Sequence, residues 1–413
     1  MLAQAIYILV GIFGPNPKYK IRLPGSETVT SKQFLWYLEA ITDAKLNHCN
    51  RIEVFTNGDQ FYDAELQAVL AAKKNINLEA YIFQRGEIAQ RYADALADRA
   101  RAGVKVNVLL DAVGSGGTTD AYFAEMTKAG GKIAWYHPLR WYTIPNYNNR
   151  THRELMVIDG VVGFVGGAGI ADHWYKDKSP KNSRWRDTVV RVEGDVVSNL
   201  QATFAENWLE ACGELIAGPD YFPIITREEA QTAMVVNSAP SAGGSTRARI
   251  LMQSLIAGAH KSILITTPYF LPDTSMQEEI IHARRRGVEV TIVTPGRHSD
   301  HALTRSSSQR AYGKLLEAGA QIFEYQPAMI HAKILIIDGV WSVVGSTNFD
   351  NRSFGLNDEV NLAVFDESFA VRLAEDFARD IANSREITYQ QWAHRPWLQR
   401  APELLGWVLE RQQ

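Results

Sequence analysis

The sequence predicts an α/β protein of two homologous domains, each with a mostly parallel or mixed sheet flanked by helices. Two observations support this fold class: an internal repeat, and apolar strand patterns that alternate with helical patterns. Each copy of the repeat is roughly 150–200 residues long, an ordinary domain size, and the chain of 413 residues has room for two. Two copies that face each other would form one site at a pseudo-twofold interface.

The repeat is clearest where the end of a helix leads into a buried strand. Residues 101–110 read Arg-Ala-Gly-Val-Lys-Val-Asn-Val-Leu-Leu, and residues 286–293 read Arg-Gly-Val-Glu-Val-Thr-Ile-Val. Residues 129–133 match 318–322 in the same way. Because these matches keep their order along the chain, they indicate a duplicated unit and not isolated motifs.

The limits of the repeat, together with a Pro- and Gly-rich connection at residues 215–245, predict how the chain is divided. The expected parts are an apolar membrane-contact segment, an N-terminal helical region, a first domain, a second domain and an amphipathic tail, at residues 1–14, 15–50, 51–225, 226–390 and 391–413 respectively.

Both ends of the chain carry apolar residues that suit a membrane surface. Leu2–Phe13 is too short to cross a bilayer as a helix, which needs about 20 residues, and it lacks the basic region and cleavage site of a secretory signal. We expect an interfacial or re-entrant contact here, with a helix packed on the protein as the alternative. The tail, with Trp392, Trp397 and Trp407, is expected either to anchor at the interface or to pack on the body.

Several local patterns place further elements. A helix is expected from Ser31 to Leu46, and Asn57-Gly58 between apolar runs predicts a hairpin turn followed by a helix over Tyr62–Lys74. Residues 114–119 predict a flexible loop at the carboxyl end of a strand, where ligands bind in open α/β sheets, or a plain surface loop. Residues 139–150 mix Arg with Trp and Tyr, which favours contact with a lipid interface over a loop without such a role.

Composition excludes several classes of protein. The net charge of −3 gives no global attraction to nucleic acid, so we expect no nucleic-acid partner. Two cysteines, Cys49 and Cys212, are too few for a disulfide framework or a zinc site. His298 and His301 have no third ligand nearby in the sequence, so no metal or other cofactor is predicted.

Residues 331–348 hold the side chains that best predict chemistry. His331 and Lys333 alternate onto one side ahead of the apolar strand Ile334–Ile337, and a turn at Asp338-Gly339 leads into a second apolar run that ends at Gly345-Ser346-Thr347-Asn348. Lysine, serine and asparagine donors suit phosphate oxygens, and glycine lets backbone N–H groups approach. Histidine can act as nucleophile or as acid and base near neutral pH. The segment therefore predicts a phosphate-handling site.

A second copy of this pattern occupies residues 151–170, with two chemical differences. His152, the strand, Asp159 and the Gly166-Gly167 pair align with the later copy. Glu154, however, stands where Lys is expected, and Gly169 stands where Asn is expected. The first half-site therefore keeps its histidine but lacks one cation and one amide donor.

The later segment resembles the H-x-K-x4-D signature of the phospholipase D superfamily, with Gly-Ser-Thr-Asn as its usual continuation. Residues 185–194, with Trp-Arg-Asp-Thr before a strand and Glu-Gly, resemble the bacterial cardiolipin synthase branch. The resemblance implies a carboxylate downstream of each motif that contacts the histidine and fixes its tautomer. It would assign Asp187 to His152 and Glu359 to His331, in the manner of a catalytic triad.

The resemblance also implies a reaction, a phosphatidyl transfer between phospholipids without a cofactor. His152 would attack the phosphodiester to form a phosphohistidine while His331 protonates the leaving alcohol, and an incoming alcohol such as phosphatidylglycerol would then displace His152. The remaining site candidates are assigned as catalytic (Lys333, Glu154, Asp159 and Asp338, the two aspartates either paired with basic groups or capping turns) and as substrate-binding (Ser346, Asn348, Gly167 and Arg186). A peripheral or monotopic location on the cytoplasmic face of the inner membrane is expected.

Glu154 leaves the activity open, because a carboxylate ~4 Å from a phosphodiester is repelled by roughly 4 kcal/mol at an effective dielectric of 20. Glu154 could pair with Lys176, Arg184 or Arg186, it could bind hydroxyls of a polar acceptor, or its half-site could be degraded. A phospholipase D that hydrolyses lipids to phosphatidic acid is one alternative function, and an inactive lipid-binding protein is another.

Overall fold

The structure, a computed structural model, describes residues 18–24, 27–141, 148–177, 183–225, 231–240 and 246–396. Three predicted regions lie outside the described residues: the membrane-contact segment, residues 142–147 of the loop before Arg150, and the tail from residue 397 onward. Within these limits, no helix is long and apolar enough to span a membrane.

The described strands follow the chain in the order β1 (Asn47–Cys49), β2 (Arg51–Thr56), β3 (Asn75–Ala80), β4 (Lys105–Asp111), β5 (Lys132–Tyr136), β6 (Leu155–Ile158), β7 (Val162–Gly166), β8 (Thr188–Glu193), β9 (Gln231–Ser238), β10 (Ser262–Thr266), β11 (Glu289–Pro295), β12 (Gln321–Tyr325), β13 (Ile334–Ile337), β14 (Trp341–Gly345), β15 (Glu359–Phe365) and β16 (Ser384–Glu386).

The described α-helices are α1 (Lys32–Thr42), α2 (Gly58–Ala71), α3 (Glu87–Arg101), α4 (Ala124–Lys128), α5 (Asp172–Tyr175), α6 (Val197–Cys212), α7 (Arg247–Ala257), α8 (Thr274–Arg285), α9 (Ala302–Glu317), α10 (Glu367–Ala382) and α11 (Tyr389–Ala393).

The strands form two sheets that repeat one topology. The first sheet has the order β2-β8-β7-β6-β3-β4-β5, and the second has the order β1-β9-β15-β14-β13-β10-β11-β12-β16. The β3-β4-β5 run and the β10-β11-β12 run are parallel, and every other described pairing is antiparallel. The mixed α/β fold is confirmed, although the sheets are less parallel than expected. The reason is that each motif strand turns back directly into its neighbour, and a short turn can join only antiparallel strands.

The two sheets share a hydrophobic core. Val157 and Val190 of the first sheet lie in one buried cluster with Ile336 and Leu362 of the second, together with residues of helices α6 and α10. Each sheet also has a core of its own on the opposite face. The halves therefore pack as layers around a common apolar interior, which fixes the motif strands of both repeats close to one another.

Two local predictions differ from the structure. Asn57-Gly58 does not form a hairpin: Asn57, at φ 70°, begins helix α2. A Cβ on Gly58 would lie 2.2 Å from the carbonyl oxygen of Trp174, so this glycine serves a close approach between elements. The loop at residues 114–119 is also tied down, because Ser115 Oγ donates to the Tyr81 carbonyl and accepts from the Phe83 N–H. Helix α1, by contrast, lies within its predicted range.

Candidate active site

His331 and its carboxylate come from different repeats. The His331 N–H donates to the Arg186 carbonyl at 2.7 Å, in a parallel bridge between residues 186 and 330. This backbone bond brings the His331 ring against Asp187, with Nδ1 2.8 Å from Oδ2. Burial opposes ionisation of Asp187, but the hydrogen bond and charge of His331 and the charge of Lys333 lower its pKa below the ordinary value.

His152 is held in the same way by the second repeat. Its N–H donates to the Asp358 carbonyl at 2.8 Å, and Nδ1 lies 3.0 Å from Glu359 Oε2. The pairing expected from the sequence, Asp187 with His152 and Glu359 with His331, is therefore wrong. The physical reason is the pair of bridges between the repeats, which place each motif next to the carboxylate strand of the other half.

Lys333 lies between the half-sites. Its Nζ is 2.8 Å from the His331 carbonyl and 3.4 Å from the Gly167 carbonyl of the first repeat. A Cβ on Gly167 would come within 2.8 Å of Lys333 Cδ, so the glycine gives the lysine room to cross. Burial lowers the pKa of Lys333, and the charges of Asp187, Glu359 and Glu154 act against this shift.

The two predicted phosphate donors of the second motif have different surroundings. Ser346 Oγ donates to Glu359 Oε2 at 2.5 Å and accepts from the Val360 N–H at 3.0 Å. The hydroxyl therefore orients Glu359, the acid that contacts His152. Asn348 is buried and has its backbone N–H bonded to Ser353 Oγ. No partner is found for its Oδ1 in the part of the chain that the structure describes. Ser346 is thus engaged within the protein, and the Nδ2–H₂ group of Asn348 is the donor of the two that suits a phosphate oxygen.

Asp159 and Asp338 do not belong to the reacting centre. Asp159 accepts hydrogen bonds from the backbone N–H groups of Lys73, Lys74 and Asn75, and Asp338 does the same at residues 260–262. Both have φ 54° in the turn after the motif strand. Of the two roles predicted for these aspartates, turn capping matches these hydrogen bonds, and their positions do not support the prediction that they are catalytic.

Arg186 is also absorbed by the protein. Its guanidinium is buried, pairs with Asp380 of helix α10 at 3.0 Å, and donates to the Asp187 carbonyl and to Thr188 Oγ1. It therefore supports the segment that carries Asp187, and its prediction as a substrate-binding residue is not matched by its position.

Glu154 is buried beside the site without a basic partner of the expected kind. Its Oε1 accepts from the N–H groups of Tyr81 and Ile82. The basic residues proposed for it pair elsewhere: Lys176 with Glu87 and Asp172, Arg184 with Asp59, and Arg186 with Asp380. Burial raises the pKa of Glu154 well above its ordinary value, although the Ile82 N–H and the charge of Lys333 act to lower it.

Aromatic rings around the histidines were not assigned a role from the sequence. The rings of Trp174, Trp185 and Tyr269 have centroids 5.3, 5.4 and 6.4 Å from that of His331, and Tyr81 is 5.3 Å from His152. Trp174 also donates its Nε1–H to Asp187 at 3.1 Å. Their positions in the sequence could have identified them, because each lies at the end of a predicted strand or close to the first motif. The rings surround the histidines with apolar surface, which strengthens the charge interactions in the site.

The site therefore contains two histidines, each hydrogen-bonded to an acid of the other repeat, with Lys333 between them. No cluster of three or more potential metal ligands occurs among the described residues. A family model described as cardiolipin synthase, PLD-like domain, matches residues 66–208 and 252–381. The chain belongs to this family. It is thus a member of the phospholipase D superfamily.

Curated relatives agree with this cardiolipin synthase family assignment. The chain is 34% identical over 385 residues to the major cardiolipin synthase ClsA of Bacillus subtilis, covering 92% of this chain and 79% of that protein. It is also 34% identical over 359 residues to a cardiolipin synthase of Geobacillus kaustophilus, with 86% of this chain and 71% of that protein covered.

Solved structures share the two-domain fold of this family member. Phosphatidylserine synthase of Haemophilus influenzae superposes with a TM-score of 0.68 at 15% identity, over 90% of this chain and 95% of that one. Polyphosphate kinase of Porphyromonas gingivalis gives a TM-score of 0.56 at 13% identity, over 95% of this chain and 58% of that one. At these identities the likeness concerns the fold.

Proposed function

We propose that the chain works as a cardiolipin synthase, moving a phosphatidyl group from one phospholipid to the hydroxyl of another through a phosphohistidine at His152. As a member of the cardiolipin synthase family, it is a phosphatidyltransferase of the phospholipase D superfamily. The observation that carries the proposal is the exchange of carboxylates, because it orients two histidines from separate repeats toward one site.

The first step forms the covalent intermediate. With Nδ1 directed at Glu359, the Nε2 lone pair of His152 is free to attack phosphorus. The P–O bond to the leaving alcohol breaks, and the alcohol oxygen takes a proton from Nε2 of His331. Burial and, to a smaller extent, the charge of Lys333 lower the pKa of His331, so its imidazolium gives up the proton readily. Asp187 acts in the opposite direction and stabilises the imidazolium before the transfer.

The second step reverses the roles. Neutral His331 takes the proton of the incoming hydroxyl, whose oxygen forms a new P–O bond as the P–N bond to His152 breaks. Lys333 and the Asn348 amide are suited to hold the non-bridging phosphate oxygens in both steps. Splitting one displacement into two lowers each barrier.

The substrates would be phospholipids, with phosphatidylglycerol as the first candidate for both donor and acceptor. The membrane would be contacted from the cytoplasmic face of the inner membrane. Contact with a membrane surface is supported by Leu139 and Trp141, which are 68% and 84% exposed in the chain segment leading to His152. Amphipathic aromatic side chains favour the interface between headgroups and acyl chains.

The test is turnover of labelled phosphatidylglycerol in mixed micelles. We expect the wild type to form cardiolipin, and His152→Ala and His331→Ala to lose at least ~10³-fold in rate, while His282→Ala, an exposed histidine of helix α8, stays at the wild-type rate. Phosphatidic acid as the sole product would make the chain a hydrolase. No product from the wild type with several alcohols would favour a lipid-binding role.

A further inference from the structure

The carboxyl group of Glu154 sits in a cradle built for it. The residue is only 7% exposed. Its Oε1 accepts the Tyr81 N–H at 3.1 Å and the Ile82 N–H at 3.3 Å. In the part of the chain that the structure describes, its second oxygen, Oε2, has no hydrogen-bond partner. This oxygen is also not completely buried. One oxygen is therefore fixed to the backbone, and the other remains for a ligand.

Three differences between the repeats belong together. The bridges Phe83–Ile170 and Phe270–Phe349 align the repeats here, so Tyr81 corresponds to Pro268. Proline has no N–H, so the second half-site lacks one of the two donors that hold Glu154. In the first half-site, Glu154 thus stands at the position that Lys333 has in the second, and Tyr81, which has an N–H, stands at the position of Pro268.

Gly169, which stands in place of Asn348, is the third difference. A Cβ at Gly169 would lie 2.6 Å from the Ile82 carbonyl oxygen and 3.0 Å from Glu154 Oε1. A side chain there would displace the cradle. Since the acid, its donor and the space for it occur together, the first half-site has the features of a built site and not of a degraded copy.

The surroundings of Glu154 decide its protonation. Lys333 is the cation that faces it, and Asp187, Glu65, Glu79 and the Tyr62 hydroxyl are the acidic groups near it. Glu65, Glu79 and Glu154 line one small cavity, and burial raises the pKa of each, to about 7 for both Glu65 and Glu79. Arg153 acts on Glu79, and His331 pairs with Asp187. Lys333 acts on Glu154 but also on Asp187 and Glu359, so its charge is divided among three acids, which favours a proton on Glu154.

We propose that Glu154 is a phosphate-binding residue that carries a proton when the lipid binds and donates an Oε2–H hydrogen bond to a non-bridging phosphate oxygen. It would take the place of the second lysine, leaving Lys333 as the cation shared by both half-sites. A buried neutral carboxyl that donates a hydrogen bond at a reacting centre is known enzyme chemistry, and it removes the repulsion expected for a carboxylate. The inference rests on the proposed phosphatidyl transfer.

Glu154→Gln is the decisive variant, because its amide oxygen can accept both backbone N–H groups while its NH₂ donates to phosphate. We expect it to keep kcat/KM within a few-fold of the wild type, whereas Glu154→Ala loses roughly 10- to 100-fold, the usual effect of one hydrogen bond to a charged group. A loss in Glu154→Gln as large as in Glu154→Ala would overturn the proposal. We expect no gain from Glu154→Lys, because its ammonium would face the N–H donors of Tyr81 and Ile82. A higher kcat/KM in Glu154→Lys than in the wild type would therefore also overturn the proposal.

The pH dependence gives a second readout. As pH rises through the raised pKa of Glu154, the carboxyl loses its donor proton and gains a charge, so wild-type kcat/KM should fall on the alkaline side. Groups common to both proteins titrate in Glu154→Gln as well, so an additional alkaline loss in the wild type belongs to Glu154. Superimposable profiles would contradict the proposal.

Binding separates this inference from the proposed function. Calorimetry with short-chain phosphatidylglycerol on His152→Ala, with and without Glu154→Gln, needs no turnover. We expect the affinity of His152→Ala to fall as pH rises and that of the double variant to change less. If that difference appears while the wild type forms no cardiolipin, Glu154 binds phosphate and only the transferase proposal fails. If affinity depends on pH equally in both, the role of Glu154 fails whatever the activity.

Discussion

The exchange of carboxylates defines the site at the scale of single residues. Asp187 of the first repeat holds His331 of the second, and Glu359 of the second holds His152 of the first. Neither repeat can orient its own histidine by this route. The exchange also assigns a separate partner to each chemical role, so the two acids can be tested independently.

Asp187→Asn and Glu359→Gln should each lower kcat by about 10²–10⁴-fold, because the charge that orients the histidine and stabilises its imidazolium is lost. Their losses should differ with the leaving group. A p-nitrophenyl phosphodiester releases p-nitrophenolate, an anion that needs no proton to leave. In the first step this substrate should therefore spare Asp187→Asn, which impairs the acid His331, but not Glu359→Gln, which impairs the nucleophile His152.

The measurement is the pre-steady-state release of p-nitrophenolate by both variants and by the wild type. The control is Glu193→Gln, which changes a partly exposed acid at the end of strand β8. If Glu359→Gln were the variant spared, the histidine roles would be reversed. If Asp187→Asn lost as much rate on the p-nitrophenyl phosphodiester as on phosphatidylglycerol, Asp187 would not act through leaving-group protonation.

Sequence patterns identified these residues better than they identified their contacts. His152 and His331 are recognised from the repeated motif, and the resemblance to the cardiolipin synthase branch points to Asp187 and Glu359 as the downstream acids. Which acid meets which histidine depends on long-range backbone bridges, such as that between Thr151 and Asp358, and no local pattern encodes these. The burial that raises the pKa of Glu154 is likewise a property of the packed fold.

At the scale of elements, the motif hairpins show how an aspartate of a chemical motif can bind the backbone of a neighbouring strand. Strands β13 and β14 match the predicted apolar runs closely, because strand periodicity and the Asp-Gly turn are local signals. The aspartate of each turn accepts from the N–H groups at the start of the neighbouring strand, β3 or β10, which pairs antiparallel with the motif strand. The predicted hairpin at Asn57 failed because Asn-Gly also suits a helix start when glycine must pack closely.

Asp159→Ala should therefore lower stability and leave chemistry largely intact. Loss of the bonds to residues 73–75 and an alanine at positive φ should reduce the free energy of unfolding by about 2–4 kcal/mol. Denaturant unfolding measures this, with kcat determined where the variant is fully folded. Asp63→Ala, which removes a surface pair with Arg91, should cost under ~1 kcal/mol. A large fall in kcat with unchanged stability would restore Asp159 to the catalytic set.

At the scale of the whole molecule, a buried arginine joins the two halves behind His152. Arg153 is fully buried; it donates to the Thr203 carbonyl and to Glu206 of helix α6, both at 2.8 Å, and lies 3.7 Å from Asp358 of the second repeat. Asp358 in turn supplies the carbonyl that holds the His152 N–H. One charge thus stabilises the shared core and the backbone of the active site together.

Arg153→Met keeps much of the apolar stem and removes the charge, leaving Asp358 buried with the Tyr136 hydroxyl as its remaining side-chain partner. Breaking a buried pair in this way should cost about 3–5 kcal/mol, whereas Arg51→Met, which loses a surface pair with Glu53, should cost under ~1 kcal/mol. Because the core is common to both sheets, thermal unfolding of each variant should remain a single transition, and kcat of folded Arg153→Met should fall as His152 loses its support. Two separate transitions in the variant would show that the halves are stable independently and that Arg153 only links them.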